Sequence, residues 1–399
     1  MLFLRAAGVQ MFFVIIWCAS YYRFEMKVIY LHQYFVTPDM PGGTRSYEMA
    51  RRLVAAGHEV HIVTSWQNDD GRAKRWFTTK VAGINVHWLP VPYNNKMSYV
   101  QRIRSFFRFA LYSLGKTKEL GGDVIFATST PLTIAIPAVF SASKRKIPMV
   151  FEVRDLWPEL PIAMGALRNP LLKWLGFKLE KWAYRHSEAI IALSPGMKNG
   201  VVRAGYDAAR VAVIPNSSDN SEFRHNPEAA SHFRASREWL NDRPLLVYTG
   251  TFGRINGVRY MVELAAALRS INSDIRVLLI GSGQEKNAVR VLAQEEGVLN
   301  VNLFIEDSLP KKEIPALLSA ADMAASVFID LPEMQPNSAN KFFDALASGT
   351  PVLLNYGGWQ HDLLEARGCG LAMWQKPIKA VAEEVASKIT DPIWLSKAG

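Results

Sequence analysis

The residues of this chain best placed to do chemistry are a glycine pair, Gly42 and Gly43, and a polar stretch at 336–341. In both, the chemistry is that of an anion held at the start of a helix. The glycines lie in LHQYFVTPDMPGGTRSYEMARRL, between a strand-like run at 28–31 and a helix-period run through Tyr47, Ala50, Leu53 and Val54, with a second strand in HEVHIVTS. Strand, glycine-rich turn, helix and strand together present backbone N–H groups at a helix N-terminus to negative charge. A plain tight turn is the ordinary alternative for the glycines. The second stretch, PNSANKFFDALASGTPVLL, again opens a helix with polar residues, placing Asn337, Ser338, Asn340, Lys341 and Asp344 along its start. Capping by Asn337 or Ser338 is the structural alternative there and is compatible with binding. Two such helix starts in successive α/β stretches predict one ligand in a cleft between two domains.

The elements that must position these residues alternate along the chain. VHIVTS, INVHWLP, VIFATS, MVFEVRD, AIIALS and VAVIPN read as short buried strands separated by helices. A polar segment at 216–242 follows as a candidate interdomain connection. A second series then begins: LLVYTG, helix VRYMVELAAALRS, RVLLIGSG, VNLFIE, helix EIPALLSAA, MAASVF, helix FFDALAS and PVLLN. The pattern predicts an α/β chain of two Rossmann-like doubly wound domains, 26–215 and 243–399, with ligands at the carboxyl ends of parallel strands.

Composition sets the bounds. The chain has 399 residues, enough for two cores, and two cysteines too distant in sequence to suggest a disulfide framework, so a reducing compartment is expected. Neither CxxC nor HExxH spacing occurs, and no metal site is predicted.

The formal charge of +10 is uneven: residues 71–118 hold ten Lys and Arg and not one Asp or Glu. Within SYVQRIRSFFRFALYSLGK, helical spacing puts Val100, Ile103, Phe107, Leu111 and Leu114 on a core-facing stripe. Arg102, Arg104, Arg108, Phe109 and Tyr112 would fall on the outer face. Cations interleaved with aromatics suit an anionic membrane surface. A plain solvated face is the ordinary alternative, and no nucleic-acid recognition motif accompanies the charge. Residues 1–25 are apolar, but their uninterrupted run at 11–19 is far short of a bilayer span. They read as an upstream extension of a chain starting at Met26, or as a membrane anchor, and less readily as an export signal because the cleavage-site residues do not fit.

PGGTRSYEMARRLVAAGHEVHIVTS, VAVIPNSSDNSEF, YTGTFGRINGVRYMVELAAAL, LLIGSGQEK and NKFFDALASGTPV, in this order and spacing, resemble the retaining GT-B glycosyltransferases of family 4, most closely their bacterial polysaccharide and O-antigen members. The resemblance covers about residues 26–375. It implies a GT-B fold with two Rossmann-like domains facing a deep cleft, and sugar transfer from a nucleotide diphosphate donor, most often UDP, without a metal or other cofactor. The acceptor would be a lipid-linked or other saccharide in cell-surface polysaccharide synthesis, made on the cytoplasmic side of the membrane. Developing negative charge on the leaving diphosphate must then be met by helix N-termini and cations. By that resemblance Gly42 and Gly43 approach the pyrophosphate, and Arg254 and Lys341 supply positive charge. Asp344 contacts the ribose hydroxyls.

The chain also departs from the family pattern. Thr251 and Asn256 stand where an Arg and a Lys are usual, so Arg254 is read as a substitute at a shifted position. Pro336 holds the first acidic position, leaving donor-sugar contacts to Asn337, Ser338 and Asn340. Arg154 stands at the place of a catalytic-loop His, followed by Asp155, with Glu152 and Glu159 nearby; both 154 and 155 are candidate substrate contacts, or an ion pair. His32 and Asp39, flanking the glycine loop, are weaker candidates. The chain ends at Gly399, where relatives continue into a helix that crosses back to the first domain. A nucleotide-sugar epimerase of the same fold and an inactive membrane-bound scaffold are the rival functions; the basic-aromatic stretch speaks against the first, and the intact Gly42–Gly43 pair with Lys341 and Asp344 against the second.

Overall fold

Strands as apolar as VIFAT or RVLLI must be covered on both faces, and each half of the chain does so by laying helices on a parallel sheet. The computed structural model describes residues 25–399 apart from 69, 72–74, 93–96 and 98. The expected leader or anchor, residues 1–25, lies outside the described residues except for Glu25. The chain divides into two compact units: the first ends at Pro215 and the second begins at Asn216, with Pro38–Gly43 grouped with the second.

The first unit runs β1 (Lys27–Leu31), α1 (Arg45–Ala55), β2 (Glu59–Trp66), β3 (Phe77–Val81), β4 (Ile84–Pro90), α2 (Tyr99–Leu120), β5 (Val124–Thr128), α3 (Ala135–Arg145), β6 (Met149–Val153), α4 (Glu159–Ala163), α5 (Pro170–Arg185), β7 (Ala189–Ala192), α6 (Pro195–Arg203) and β8 (Val211–Val213). Its sheet has the order β3-β4-β2-β1-β5-β6-β7-β8. All pairs are parallel except β3 with β4, an edge hairpin turned by Ala82 and Gly83, both at positive φ. Strand order reverses between β1 and β5, which pair through Val28–Leu31 and Val124–Ala127. The carboxyl ends of β1, β5 and β6 therefore open side by side at a switch point.

The second unit runs α7 (Pro227–Ala235), β9 (Leu245–Thr249), α8 (Arg259–Ile271), β10 (Arg276–Ile280), α9 (Lys286–Glu295), β11 (Leu303–Glu306), α10 (Ile314–Ala320), β12 (Met323–Ser326), α11 (Asn340–Ala347), β13 (Val352–Leu354), α12 (Trp359–Arg367), β14 (Gly370–Ala372), α13 (Ile378–Ile389) and α14 (Pro392–Ala398). Its sheet order is β11-β10-β9-β12-β13-β14, every pair parallel, with the switch between β9 and β12. Both sheets are thus doubly wound, as the alternation predicts. The segment at 216–242, expected as a connection, carries α7.

One helix is rotated against expectation. In α2 the core receives Phe109, which is 0% exposed, with Ala110, Ser113 and Thr117. Val100, Phe107 and Leu111, expected inside, are exposed, Leu111 by 62%. The reason is close helix packing: small residues on α2 meet small residues on α3, and Thr117 Oγ1 lies 2.7 Å from Ser141 Oγ. A Thr117–Ser113 bond of 2.9 Å satisfies the same hydroxyl. Phe109 is therefore a core residue and no membrane contact. Tyr112 and Arg104 do face outward, and Arg108 sits 5.8 Å from the Tyr112 ring. Arg102 is half-buried and donates to the Met97 carbonyl at 3.2 Å.

Candidate active site

In the second unit, β9 is followed by Gly250, whose φ of +149° no side chain adopts easily. A Cβ there would lie 2.9 Å from Lys341 Nζ, so the glycine leaves the room that the ammonium occupies. Lys341 sits in the first turn of α11, where Ala339 is the capping residue and no side chain caps the helix. The structural alternative for Asn337 and Ser338, capping of this helix, is therefore not realised. The Lys341 Nζ is buried without a hydrogen-bond partner, 4.1 Å from the Tyr248 ring centroid and 5.8 Å from that of Phe328. Burial lowers its pKa to about 7. A buried cation with aromatic faces beside it and no anion is left electrostatically uncompensated by the fold itself.

The remaining residues of this stretch divide by partner. Ser338 is committed to the chain itself: its Oγ accepts the Asn216 backbone N–H at 3.0 Å, and its carbonyl accepts from the Asn216 side-chain amide. The Asn337 carbonyl accepts from Trp359 Nε1 at 2.7 Å. Asn340, half-buried, opens α11. Asp344, one turn on, is buried and accepts from Ser218 Oγ at 3.0 Å and from Lys311 Nζ. Burial raises its pKa, and Lys311 and Ser218 pull it back in part. Arg254 is exposed on the turn Arg254–Asn256, on the same loop as Gly250. Lys286, by contrast, is spent inside the fold: its Nζ donates to the Gly281 and Glu306 carbonyls at 2.9 and 2.8 Å and to Asp307 at 2.6 Å. That clamp holds the Gly281 turn, where a Cβ would collide with the Gly250 carbonyl oxygen.

In the first unit the loops after β1, β5 and β6 converge. Glu152, buried in β6, accepts from Thr128 Oγ1 at 2.6 Å and from Arg45 Nε at 2.9 Å. Arg45 also donates to the carbonyls of Pro215 and Ile214, at 2.6 and 2.9 Å. Burial alone would raise the Glu152 pKa, but Arg45, Arg154 and the Thr128 hydroxyl outweigh it and hold the carboxyl below its ordinary range. Gly42, exposed at a φ of +136°, and Gly43 belong to the segment grouped with the second unit and immediately precede α1, whose capping Thr44 makes no side-chain cap bond.

Arg154 and Asp155 form no ion pair with each other among the described contacts. Arg154 Nη1 lies 3.3 Å from His32 Nε2, and its backbone N–H donates to Ser129 Oγ at 3.0 Å. Asp155 accepts from Thr130 Oγ1 at 2.9 Å; burial raises its pKa, against Thr130 and Arg154. His32 is buried beside the Arg154 cation, both of which hold it neutral, and its Nδ1 has no partner. Glu159 lies apart, 3.5 Å from Arg203. Among the described residues no three His, Cys, Asp or Glu side chains converge as a metal centre requires.

Sequence reasoning missed Arg45, Lys311 and Ser218. Arg45 left a trace: a cation in the first turn of a helix opposes the macrodipole and so needs an acidic partner elsewhere. Lys311 and Ser218 left none, since their meeting at Asp344 depends on packing between segments far apart in sequence.

Residues 42–217 match the family model described as glycosyl transferase 4-like domain, and residues 231–398 the one described as glycosyl transferases group 1. The chain is a GT-B glycosyltransferase. It is 22% identical over 300 residues to a putative colanic acid biosynthesis glycosyl transferase of Escherichia coli, covering 72% of the transferase described here and 73% of that protein. Among solved structures it resembles sucrose-phosphate synthase from Thermosynechococcus elongatus, with a TM-score of 0.74 at 16% identity over 94% of this chain and 92% of that one. The Anabaena protein HepE, solved with UDP and glucose, superposes with a TM-score of 0.66 at 16% identity over 94% and 92%. These two likenesses establish the fold of the transferase.

Proposed function

We propose that this transferase moves a hexosyl or N-acetylhexosaminyl group from a UDP-sugar to a lipid-linked or saccharide acceptor, with retention, in cell-surface polysaccharide synthesis at the cytoplasmic face of the membrane. The observation that carries the reading is Lys341: a buried, unpartnered ammonium at the uncapped start of α11, under the Gly250 turn. In this reading the donor diphosphate occupies the second unit, met by Lys341 and the α11 N-terminus, with Arg254 on the adjoining loop. Asp344 receives the ribose hydroxyls, and Lys311 holds its carboxylate in place. Asn337 and Asn340 line the approach of the sugar, and Ser338, committed to Asn216, holds that segment in place.

The step breaks the bond between the anomeric carbon and the β-phosphate oxygen, and the electron pair leaves with the diphosphate. The acceptor hydroxyl bonds to the same face of that carbon, and its proton passes to the departing phosphate oxygen. Charge therefore grows on the diphosphate in the transition state, where preorganised cations and N–H groups lower the barrier most. Arg154 and Asp155, at the β6 end of the first unit, serve the acceptor side, with Gly42 and Gly43 free to approach a phosphate. No metal or other cofactor is part of this scheme. Support for a polysaccharide role comes from the colanic acid relative, and for UDP from the ligand of the Anabaena structure.

The test is thermal stabilisation by a panel of nucleoside diphosphates and their sugars. UDP should raise the melting temperature more than GDP or ADP, and Asp344→Asn should erase the preference for UDP over its 2′-deoxy analogue. No stabilisation by any of them, or an unchanged preference in the variant, would overturn the donor assignment.

A further inference from the structure

Helix α5 is held firmly yet turns apolar side chains to solvent. Asn169 caps it, accepting the N–H groups of Leu171 and Leu172 at 2.9 and 3.2 Å, and Pro170 opens its first turn. Its inner face, Glu180, Ala183 and Tyr184, is buried in the first unit. The outer stripe follows helical spacing through Leu171, Trp174, Leu175, Lys178, Lys181 and Arg185, all exposed, with Leu171 at 63% and Trp174 at 55%. Leu172 and Phe177 flank it and are exposed as well. The stripe is divided: two apolar turns first, then two basic turns.

Charge selects the occupant. Between residues 160 and 187 the only acid is Glu180, and it faces inward, while Arg168 and Lys173 adjoin the apolar half in sequence and Lys178, Lys181 and Arg185 continue the stripe. Lys178 Nζ lies 5.5 Å from the Trp174 ring, so the tryptophan is apolar on one side and meets a cation on the other, as side chains at a lipid headgroup boundary do. A symmetric contact with a second copy would set these cations against their own equivalents. The patch is also continuous with α2: α3 packs against both α2 and α5 and exposes Phe140 between them, whose ring is 5.6 Å from that of Trp182.

We propose that α5 is an interfacial helix that seats the first unit on a bilayer with anionic headgroups, its first two turns in the acyl boundary and its last two among the phosphates. The inference rests on the proposed reading of an enzyme that works at a membrane, and it adds a second, apolar contact to the electrostatic one of α2.

The full chain is floated with phosphatidylcholine vesicles with and without phosphatidylglycerol, at low and high salt. The triple variant Leu171→Gln, Trp174→Gln, Leu175→Gln should lose the salt-resistant bound fraction and partition roughly tenfold less, since tenfold is only about 1.4 kcal/mol and burying a leucine-sized side chain yields at least that. Its thermal stabilisation by UDP should be unchanged, which shows that it is folded. Brominated lipid should quench wild-type fluorescence more than that of Trp174→Phe. Wild-type partitioning in the triple variant, or equal quenching in Trp174→Phe, overturns the inference. If only Arg104→Gln with Arg108→Gln reduces binding, α2 alone meets the membrane; the inference fails and the proposed function stands. If the wild type binds no vesicle, both membrane readings fail. If the triple variant changes the oligomeric state and not vesicle binding, the occupant is a second copy and the inference is overturned.

Discussion

Lys341 Nζ lies 4.1 Å from the centroid of the Tyr248 ring, with no carboxylate beside it. Aromatic faces moderate the cost of burying that cation but do not remove it, and its pKa falls from 10.5 to about 7. A bound diphosphate reverses the balance, because a charge-assisted hydrogen bond favours the ammonium. Above pH about 7 the free enzyme must therefore take up a proton to bind UDP. Affinity for UDP is expected to weaken as pH rises from 7 toward 9, by up to about tenfold per unit. Calorimetry in buffers of different ionisation heat should show that proton. Lys341→Met should bind UDP more weakly and without this pH dependence. Between pH 7 and 10.5 the unfolded chain holds the proton that the folded chain has lost, so wild-type stability should rise with pH there, and the variant's should not.

The Arg45–Glu152 pair ties α1 to the β6 core and, through the carbonyls of Ile214 and Pro215, to the last residues of the first unit. Both side chains are buried, so removing one leaves the other without its ion-pair partner. Arg45→Met should cost about 3–5 kcal/mol in urea unfolding, more than a surface pair would. The Glu152 pKa lies below 4.5, so the pair's contribution is fully present above that pH and is lost as the pH falls through the lower folded value. The acid limb of the wild-type stability profile should flatten in Arg45→Met.

The two sheets were readable because parallel strands buried on both faces are nearly continuous apolar runs, and those runs appear plainly at 124–128 and 276–280. The strand β3 was not, since FTTKV is an exposed edge with no apolar alternation to mark it. At the site, Lys341 was legible from its place at the polar start of a helix, whereas the room that Gly250 leaves for it was not. The engagement of Asp344 with Lys311 and Ser218 was not, because it brings together three segments far apart in the chain. Helix α2 failed for a different reason. Hydrophobic periodicity finds the largest apolar side chains, whereas this helix turns Ala110, Ser113 and Thr117 inward to approach α3 closely and leaves Phe107 and Leu111 outside.

That rotation separates two residues that the sequence placed together. Phe109 is in the core, so Phe109→Ala should destabilise the protein by about 3–5 kcal/mol, read as a lowered urea midpoint. Tyr112 is exposed beside Arg108, so Tyr112→Ala should leave stability within about 0.5 kcal/mol of wild type. Vesicle binding should sort them in the opposite order. At low salt and with anionic lipid, Tyr112→Ala and Arg104→Gln should each weaken sedimentation with vesicles, and Phe109→Ala, measured below its unfolding midpoint, should not. The effect of Arg104→Gln should fade as salt shortens the Debye length to about 3 Å near 1 M, because the arginine acts through screened charge. Loss of binding in Phe109→Ala with a native melting curve would contradict the buried position of that ring.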